Sequence, residues 1–411
     1  MNVLFLSQVV PYPPHGGVLQ RGYNLLRELG QHANVHLLAF VHPDVLPTED
    51  TLQESRSALQ TFCRTVEYFP LWAKASSLHR VAALATSACS STPFSMIAHR
   101  SRTFAQRVTE LLRTVPFDVV HVDTLALCQF ADSDRSSITA VLTHHNIESI
   151  LMERRAQVET RVLARQFLQR EAAKLGEVER LASRRFDLNI VMSRNDASAL
   201  ASRAPGVRTA VVPNGVNIEY FTPDSDQETP ALIYGGGMNM FANRDAVMYF
   251  LAEIWPCVRA QRPDVKFFAV GQDPPKELVE LAQRDSQVVV TGYVSDIREF
   301  IRQAAVYVVP LRVGGGTRLK VLDAMAMGKA LVSTSIGCEG IDVRGDVHLV
   351  VADTPVAFAE ATLALLADRG RRLALGCAAR ELVARRYAWP VVGQQLVDAY
   401  REAIEIRKRR R

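Results

Sequence analysis

The chain predicts an α/β protein made of two doubly wound domains that face one another across a cleft. Three observations carry this expectation. Short apolar, β-branched runs alternate with longer amphipathic segments, and the runs are apolar on both faces, as in parallel sheets covered on both sides. The pattern occurs twice, on either side of a turn-rich stretch. At 411 residues the chain also exceeds one ordinary core, so two domains of roughly 200 residues are the default.

In order, the first half offers strands at residues 3–6, 35–40, 119–122, 140–143 and 188–192. Residues 51–113 read as mostly helical and carry Phe62, Tyr68, Phe69, Trp72 and Phe94, while residues 150–185 form one long helical stretch rich in Arg, Glu and Ala. Turn residues then crowd together in Ala204-Pro205-Gly206, Val212-Pro213-Asn214-Gly215 and Thr222-Pro223-Asp224. The crossing between domains is placed near residues 194–198, giving an N-terminal domain over 1–195 and a C-terminal domain over 196–386. The second half offers strands at 232–234, 265–270, 288–290, 306–309, 330–333 and 348–351.

Composition narrows the class. The apolar fraction of 48% and charged fraction of 22% are those of a soluble globular protein. The formal net charge is +5, part of it in Arg407-Lys408-Arg409-Arg410-Arg411, which reads as a frayed end or as a contact for an anionic membrane surface. Six cysteines lie scattered without zinc or disulfide spacing, which fits reduced thiols in a cytoplasm. The first residues lack a basic leader and read as a strand, not a signal peptide. No apolar run approaches the roughly 18 residues of a spanning helix. A cytoplasmic location is expected, with a peripheral place on the inner membrane face also open, and no nucleic-acid partner.

Chemistry concentrates after the apolar run at 304–310, where Gly314-Gly315-Gly316-Thr317-Arg318-Leu319-Lys320 leads into helical spacing up to Met327 and Gly328. A strand, a glycine-rich turn and a helix start make an anion site, because glycines admit the phosphate and unpaired N–H groups point at it. Arg318 and Lys320 add two cations, and a diphosphate is the natural occupant. The alternative is a tight turn beside solvated basic side chains. Neither Gly-x-x-x-x-Gly-Lys-Ser/Thr nor a clean Gly-x-Gly-x-x-Gly fingerprint is present. Two further strand-end loops stand out: Pro13-Pro14-His15-Gly16-Gly17 and Thr143-His144-His145-Asn146-Ile147-Glu148.

With these loops in view, the chain resembles glycosyltransferase family 4, whose members adopt the GT-B fold of two Rossmann-like domains. The likeness rests on Gly16-Gly17 with Arg21 and Asn24, on Val191-Met192-Ser193 with Asp196, and on Val212-Pro213-Asn214-Gly215-Val216-Asn217 followed by Phe221. It extends through Val290-Thr291-Gly292-Tyr293-Val294 with Asp296, Asp323-Ala324-Met325-Ala326-Met327-Gly328, and Tyr387-Ala388-Trp389 with Tyr400. The resemblance implies a closing helix over 387–411 that completes the first domain. It also implies transfer of a sugar from a nucleotide-sugar donor to a glycan or lipid-linked acceptor, with retention at the anomeric carbon and no metal or other cofactor. Asp132-Ser133-Asp134 and Asp224-Ser225-Asp226 have a metal-binding form but read as polar loops.

Taken together, the loop chemistry and the resemblance give Gly16, Gly17, Gly236, Gly237, Asn243, Gly292, Val294, Gly314, Gly315, Gly316, Thr317 and Asp323 as candidate donor residues, and His145, Arg318 and Lys320 as candidate catalytic residues. Two departures matter. The family's first Glu falls on Gly315, and its second is Asp323, one methylene shorter. The family's Arg and Lys after the first strand of the second domain fall on Gly237 and Asn243, so Arg318 and Lys320 are expected to supply those charges. Glu148 either orients His145 or caps a helix, and His121 is either structural or near the acceptor. An epimerase or hydrolase on the same scaffold, or a non-catalytic nucleotide-sugar binder, are the competing readings. Residues 45–115 carry acceptor choice, and Phe69, Leu71, Trp72, Lys74, His79 and Arg80 form either an interfacial patch for a lipid-linked acceptor or ordinary packing.

Overall fold

The computed structural model describes every residue except 15, 132–137, 225–227, 315 and 410–411. His15, Asp132, Ser133, Asp134, Ser225, Asp226, Gly315, Arg410 and Arg411 therefore lie outside the described residues. The chain divides into two compact units, Met1–Pro213 with Val392–Arg411, and Asn214–Val391.

The first unit holds a parallel sheet of β1 (Asn2–Ser7), β2 (Asn34–Val41), β3 (Thr65–Pro70), β4 (Val119–Val122), β5 (Thr139–His144), β6 (Leu188–Val191) and β7 (Thr209–Val211). Their order is β3-β2-β1-β4-β5-β6-β7. Leu4, Leu6, Leu38, Phe40, Val120, Val122 and Leu142 bury one face against Phe104, Val108 and Leu111. Each such buried side chain contributes roughly 1.5–3 kcal/mol, against ~0–1 kcal/mol for a surface ion pair, so the sheet faces hold the unit together. Helix α1 (Gly17–Gly30) follows β1, and α2 (Glu148–Val158) follows β5.

Three sequence expectations change here. Residues 51–113 contain β3, an edge strand whose Thr-Val-Glu-Tyr-Phe-Pro alternation buries only Val66 fully, so no continuous apolar run marks it. The stretch 150–185 is two helices, α2 and Val162–Arg185, interrupted at residues 159–161. The boundary between units falls at 213/214 and not at 195/196. The helix Arg194–Arg203 returns the chain to the sheet, and β7 pairs with β6 from Asn189 opposite Thr209.

The second unit has its own parallel sheet: β8 (Thr229–Gly235), β9 (Lys266–Val270), β10 (Val288–Gly292), β11 (Ala304–Val309), β12 (Ala330–Ser333) and β13 (Val350–Val351), in the order β10-β9-β8-β11-β12-β13. Leu232, Ile233, Val306, Val308, Leu331 and Val332 pack with Val247, Phe250, Leu322 and Phe358 in one core. Helix α3 (Leu319–Ala326) follows β11.

Helix α4 (Trp389–Arg409) begins in the second unit and continues in the first from Val392, five residues later than the expected 387. Trp389 is buried in the second unit against Gly215, where a Cβ would come within 2.6 Å of the indole. Leu396, Val397 and Tyr400 are buried in the first, and Glu402 pairs with Arg208 at 2.6 Å. Strand order reverses between β1 and β4 in one sheet and between β8 and β11 in the other. Ligands of open parallel sheets bind outside the carboxyl ends of the strands at such reversals.

Candidate active site

In the first unit the reversal gathers the loops after β1, β4 and β5. Helix α1 starts behind Gly16, whose φ of 85° is left-handed backbone that glycine adopts without strain. No side chain caps α1 and no acid lies in its first turn, so its first N–H groups and positive dipole end suit an anion. Beyond β4 and at the end of β5, Asp123 and His145 come together. Asp123 is 1% exposed, and its Oδ1 lies 3.4 Å from His145 Nε2 and 3.6 Å from His121 Nε2. Burial works against a charge on Asp123, but the two imidazoles outweigh it and hold the carboxyl well below the usual carboxylate range.

The surroundings of that carboxylate are fixed. His121 stacks on Phe5 at 4.3 Å, its Nε2 lies 3.0 Å from Thr143 Oγ1, and its Nδ1 meets the Tyr400 hydroxyl. Burial pushes His121 down and the Tyr400 phenol up, so both are neutral at pH 7. Arg21, 1% exposed, donates to the carbonyls of Pro213 at 2.6 Å and Val212 at 2.9 Å. Burial pushes it down to about 10, opposed by attraction to Asp123, and it stays charged. Burial raises Glu148, with the charge of His145 acting the other way. His144 is a packing residue, buried with Nε2 3.1 Å from Asn189 Oδ1.

In the second unit the reversal brings the loop after β8 against the start of α3. Lys320 Nζ donates to Tyr234 Oη at 2.9 Å and Asn243 Oδ1 at 2.7 Å, and it lies 4.3 Å from the centre of the Tyr234 ring. Asn243 in turn donates to the Gly237 carbonyl at 2.8 Å. A Cβ on Gly236 would stand 2.4 Å from Lys320 Nζ, so only glycine lets the ammonium lie against this loop. The Lys320 side chain is half-buried, with its ammonium held between Tyr234 and Asn243. That enclosure, and then the charge of Arg318, push Lys320 down to about 7. Arg318 donates to the Gly316 carbonyl at 2.7 Å and lies against Gly314.

Asp323 stands one turn beyond Lys320 on α3. Its Oδ1 and the Thr317 hydroxyl are enclosed without a hydrogen-bond partner among the described residues, and burial pushes the carboxyl up to about 8. Gly271 lies between two of the expected glycines. Its N–H donates to the Gly292 carbonyl at 3.1 Å, and a Cβ on it would strike the Gly236 carbonyl at 2.0 Å. Val294 is half-buried against the core of the unit.

The expected residues thus form two groups. Gly236, Gly237, Asn243, Gly314, Gly316, Thr317, Arg318, Lys320 and Asp323 gather at the β8/β11 reversal, with Gly292 and Val294 beyond Gly271. Gly16, Gly17 and His145 lie at the β1/β4 reversal of the other unit. Sequence reasoning gave no role to Tyr234 or Asp123. Tyr234 is hidden in an apolar strand, and only a hydroxyl near the end of that run marks it. The aromatic patch divides as well. Phe69, Leu71 and Trp72 pack inward and Lys74 pairs with Asp44. His79 and Arg80 remain exposed on the helix Ser77–Ala88, beside Leu78 at 81% and Val81 at 61%.

Comparison with known proteins bears on the family and the fold. Residues 15–220 match the profile described as Glycosyltransferase Family 4, and residues 229–368 that described as Glycosyl transferases group 1. The phosphatidyl-myo-inositol mannosyltransferase of Mycobacterium tuberculosis is 30% identical over 230 residues, 51% of this chain and 59% of the relative. The D-inositol 3-phosphate glycosyltransferase of Xylanimonas cellulosilytica is 29% identical over 227 residues, 49% and 53% of the two chains. A 44.6 kDa protein of the cps region of Klebsiella pneumoniae is 26% identical over 136 residues, 31% of this chain and 35% of that one. The chain therefore spans about half, or less, of the length of the curated relatives it matches. Among solved structures, sucrose-phosphate synthase of Thermosynechococcus elongatus superposes with a TM-score of 0.70 at 19% identity, over 99% of this chain and 100% of that one. Anabaena HepE in complex with UDP gives a TM-score of 0.70 at 16% identity, over 98% and 100%. Both matches show the GT-B fold.

Proposed function

Because the chain belongs to glycosyltransferase family 4, we propose that it moves a sugar from a nucleoside-diphosphate sugar to a glycan or lipid-linked acceptor, retaining anomeric configuration without a metal ion. The observation that carries this reading is the meeting of Lys320 with Gly236 and Asn243, beside Arg318, at the strand reversal of the second unit. Breaking the bond from the anomeric carbon to the diphosphate leaves negative charge on the phosphates and an oxocarbenium-like sugar. Two cations and glycine N–H groups, fixed in an enclosed place before the reaction, stabilise that charge without reorganisation. They take the part of the Arg and Lys missing at 237 and 243. The Thr317 hydroxyl and Asp323 oxygen, without a partner among the described residues, suit nucleoside hydroxyls. His145, half-buried beside a charged carboxylate, suits the reacting sugar.

No helix among the described residues is long and apolar enough to cross a membrane. Exposed Leu78 and Val81 beside Arg80 support peripheral contact with an anionic surface on the cytoplasmic side.

Thermal melts with UDP, GDP, ADP and TDP, each with and without EDTA, test the donor site. A ligand at 100 times its dissociation constant stabilises by about 2.7 kcal/mol, a shift of several degrees. One nucleotide should raise the melt in EDTA, and Arg318→Ala should abolish that rise. No rise with any nucleotide would defeat the reading, and a rise only without EDTA would defeat the metal-free part. Release of free sugar from the donor in the absence of any acceptor, undiminished when acceptors are added, would favour the hydrolase.

A further inference from the structure

Sequence reasoning offers Glu148 as the group that could orient His145, and the structure points elsewhere. Glu148 and His145 make no ion pair within 4 Å, whereas Asp123 approaches His145 Nε2 at 3.4 Å. We propose that Asp123 is a positioning residue that holds His145 by its Nε2 edge, placing the imidazole proton on Nε2 and leaving Nδ1 as the nitrogen offered to substrate.

Several independent observations support it. Asp123 is 1% exposed, and neither of its oxygens has a hydrogen bond of good geometry among the described residues. An ionised carboxylate in such a place is costly unless a donor faces it. Among the described residues the donors at hand are the two imidazoles and the nearby charge of Arg21. Arg21 is committed to the Val212 and Pro213 carbonyls. His121 is locked by Phe5, Thr143 and Tyr400. Tyr400 keeps its proton and is placed to donate it to His121 Nδ1, which leaves the His121 proton on Nε2, shared between Thr143 and Asp123. His145, 10% exposed at the side chain, is the one member of the cluster that reaches both the buried carboxylate and the surface. The 3.4 Å approach is longer than a formed hydrogen bond, and ligand-free sites commonly show such contacts loose. The same arrangement gives His121 and Tyr400 a purpose: they hold the carboxylate that holds the histidine.

The proposal deepens the glycosyl-transfer reading only in what it says of substrate. Its test uses the ligand-free protein, so it stands or falls separately. Nitrogen-proton correlation spectra of the intact chain labelled at histidine, recorded at alkaline pH and assigned with His145→Gln, report which ring nitrogen carries the proton. The expected spectrum has the His145 proton on Nε2. In Asp123→Asn the ratio of Nε2–H to Nδ1–H should fall about fivefold or more, as loss of a charge-assisted partner requires, and Glu148→Gln should leave it unchanged. A wild-type His145 protonated on Nδ1 would overturn the proposal even if Asp123→Asn failed to fold. So would a response to Glu148→Gln with none to Asp123→Asn.

Discussion

Lys320 sits where a cation is expensive, with its ammonium held by Tyr234 and Asn243 and pushed down to about 7 by burial and then by Arg318. A bound diphosphate favours the charged form, so binding should take up a proton. Nucleoside-diphosphate affinity should fall as pH rises above 7, and calorimetry in two buffers of different ionisation enthalpy would read that uptake. The unfolded lysine titrates near ~10.4, so the folded site opposes stability increasingly from that pH down through 7. Lys320→Met should therefore raise the melting temperature of the ligand-free protein at pH 6 by a few degrees, while binding falls at least ~tenfold. Asp323 runs the other way. Its carboxyl is raised to about 8, so the stability it contributes is fully present below the unfolded value of ~3.9 and is lost as pH rises through 8. Asp323→Asn removes that slope, and its urea midpoint relative to wild type should climb from pH 5 to 9. An unchanged difference across that range would show that the carboxyl ionises normally. Lys320 and Asn243 were legible as a pair only through the resemblance. Asp123 stood in plain view after a strand, but a partner 22 positions away cannot be read from spacing.

At the scale of elements, the loops after β8, β9 and β10 touch through glycines, yet the glycines do different work. A Cβ on Gly236 meets the movable end of Lys320, whereas a Cβ on Gly271 meets the backbone carbonyl of Gly236. Gly236→Ala should cost stability modestly, about 1–2 kcal/mol for its positive φ, and most of the diphosphate affinity. Gly271→Ala should cost roughly 2–4 kcal/mol because no side chain can yield. Urea midpoints and binding calorimetry on both variants would check the contrast, and equal losses of stability would refute it. Central parallel strands were legible because burial on both faces writes a continuous apolar run. Edge strands β3 and β7 were not. One alternates and ends in Pro70, and the other is three residues long. Missing β7 moved the expected boundary about 18 residues too early.

For the molecule as a whole, the second unit is one continuous segment, Asn214–Val391, with its own core, while the first is assembled from two segments separated by the whole of the second. A fragment of residues 214–391 should fold alone and bind the nucleotide identified by the melts. A chain ending at Val391 should keep that binding and lose stability in the first unit, since Leu396, Val397 and Tyr400 leave its interior. Hydrogen exchange would localise the loss, and uniform protection in the shortened chain would contradict it. The split also has a temporal side. During synthesis at roughly 5–20 residues per second, about 180 residues of the second unit emerge before α4 does, a wait of roughly ten to forty seconds. Throughout that interval His121 lacks the hydroxyl of Tyr400 and the first sheet lacks its last helix. The nascent first unit must persist half-built on the ribosome, its groove for α4 bare and open to chaperones. Chains interrupted at the end of that window, near Val391, would carry a complete second unit together with an unset histidine cluster.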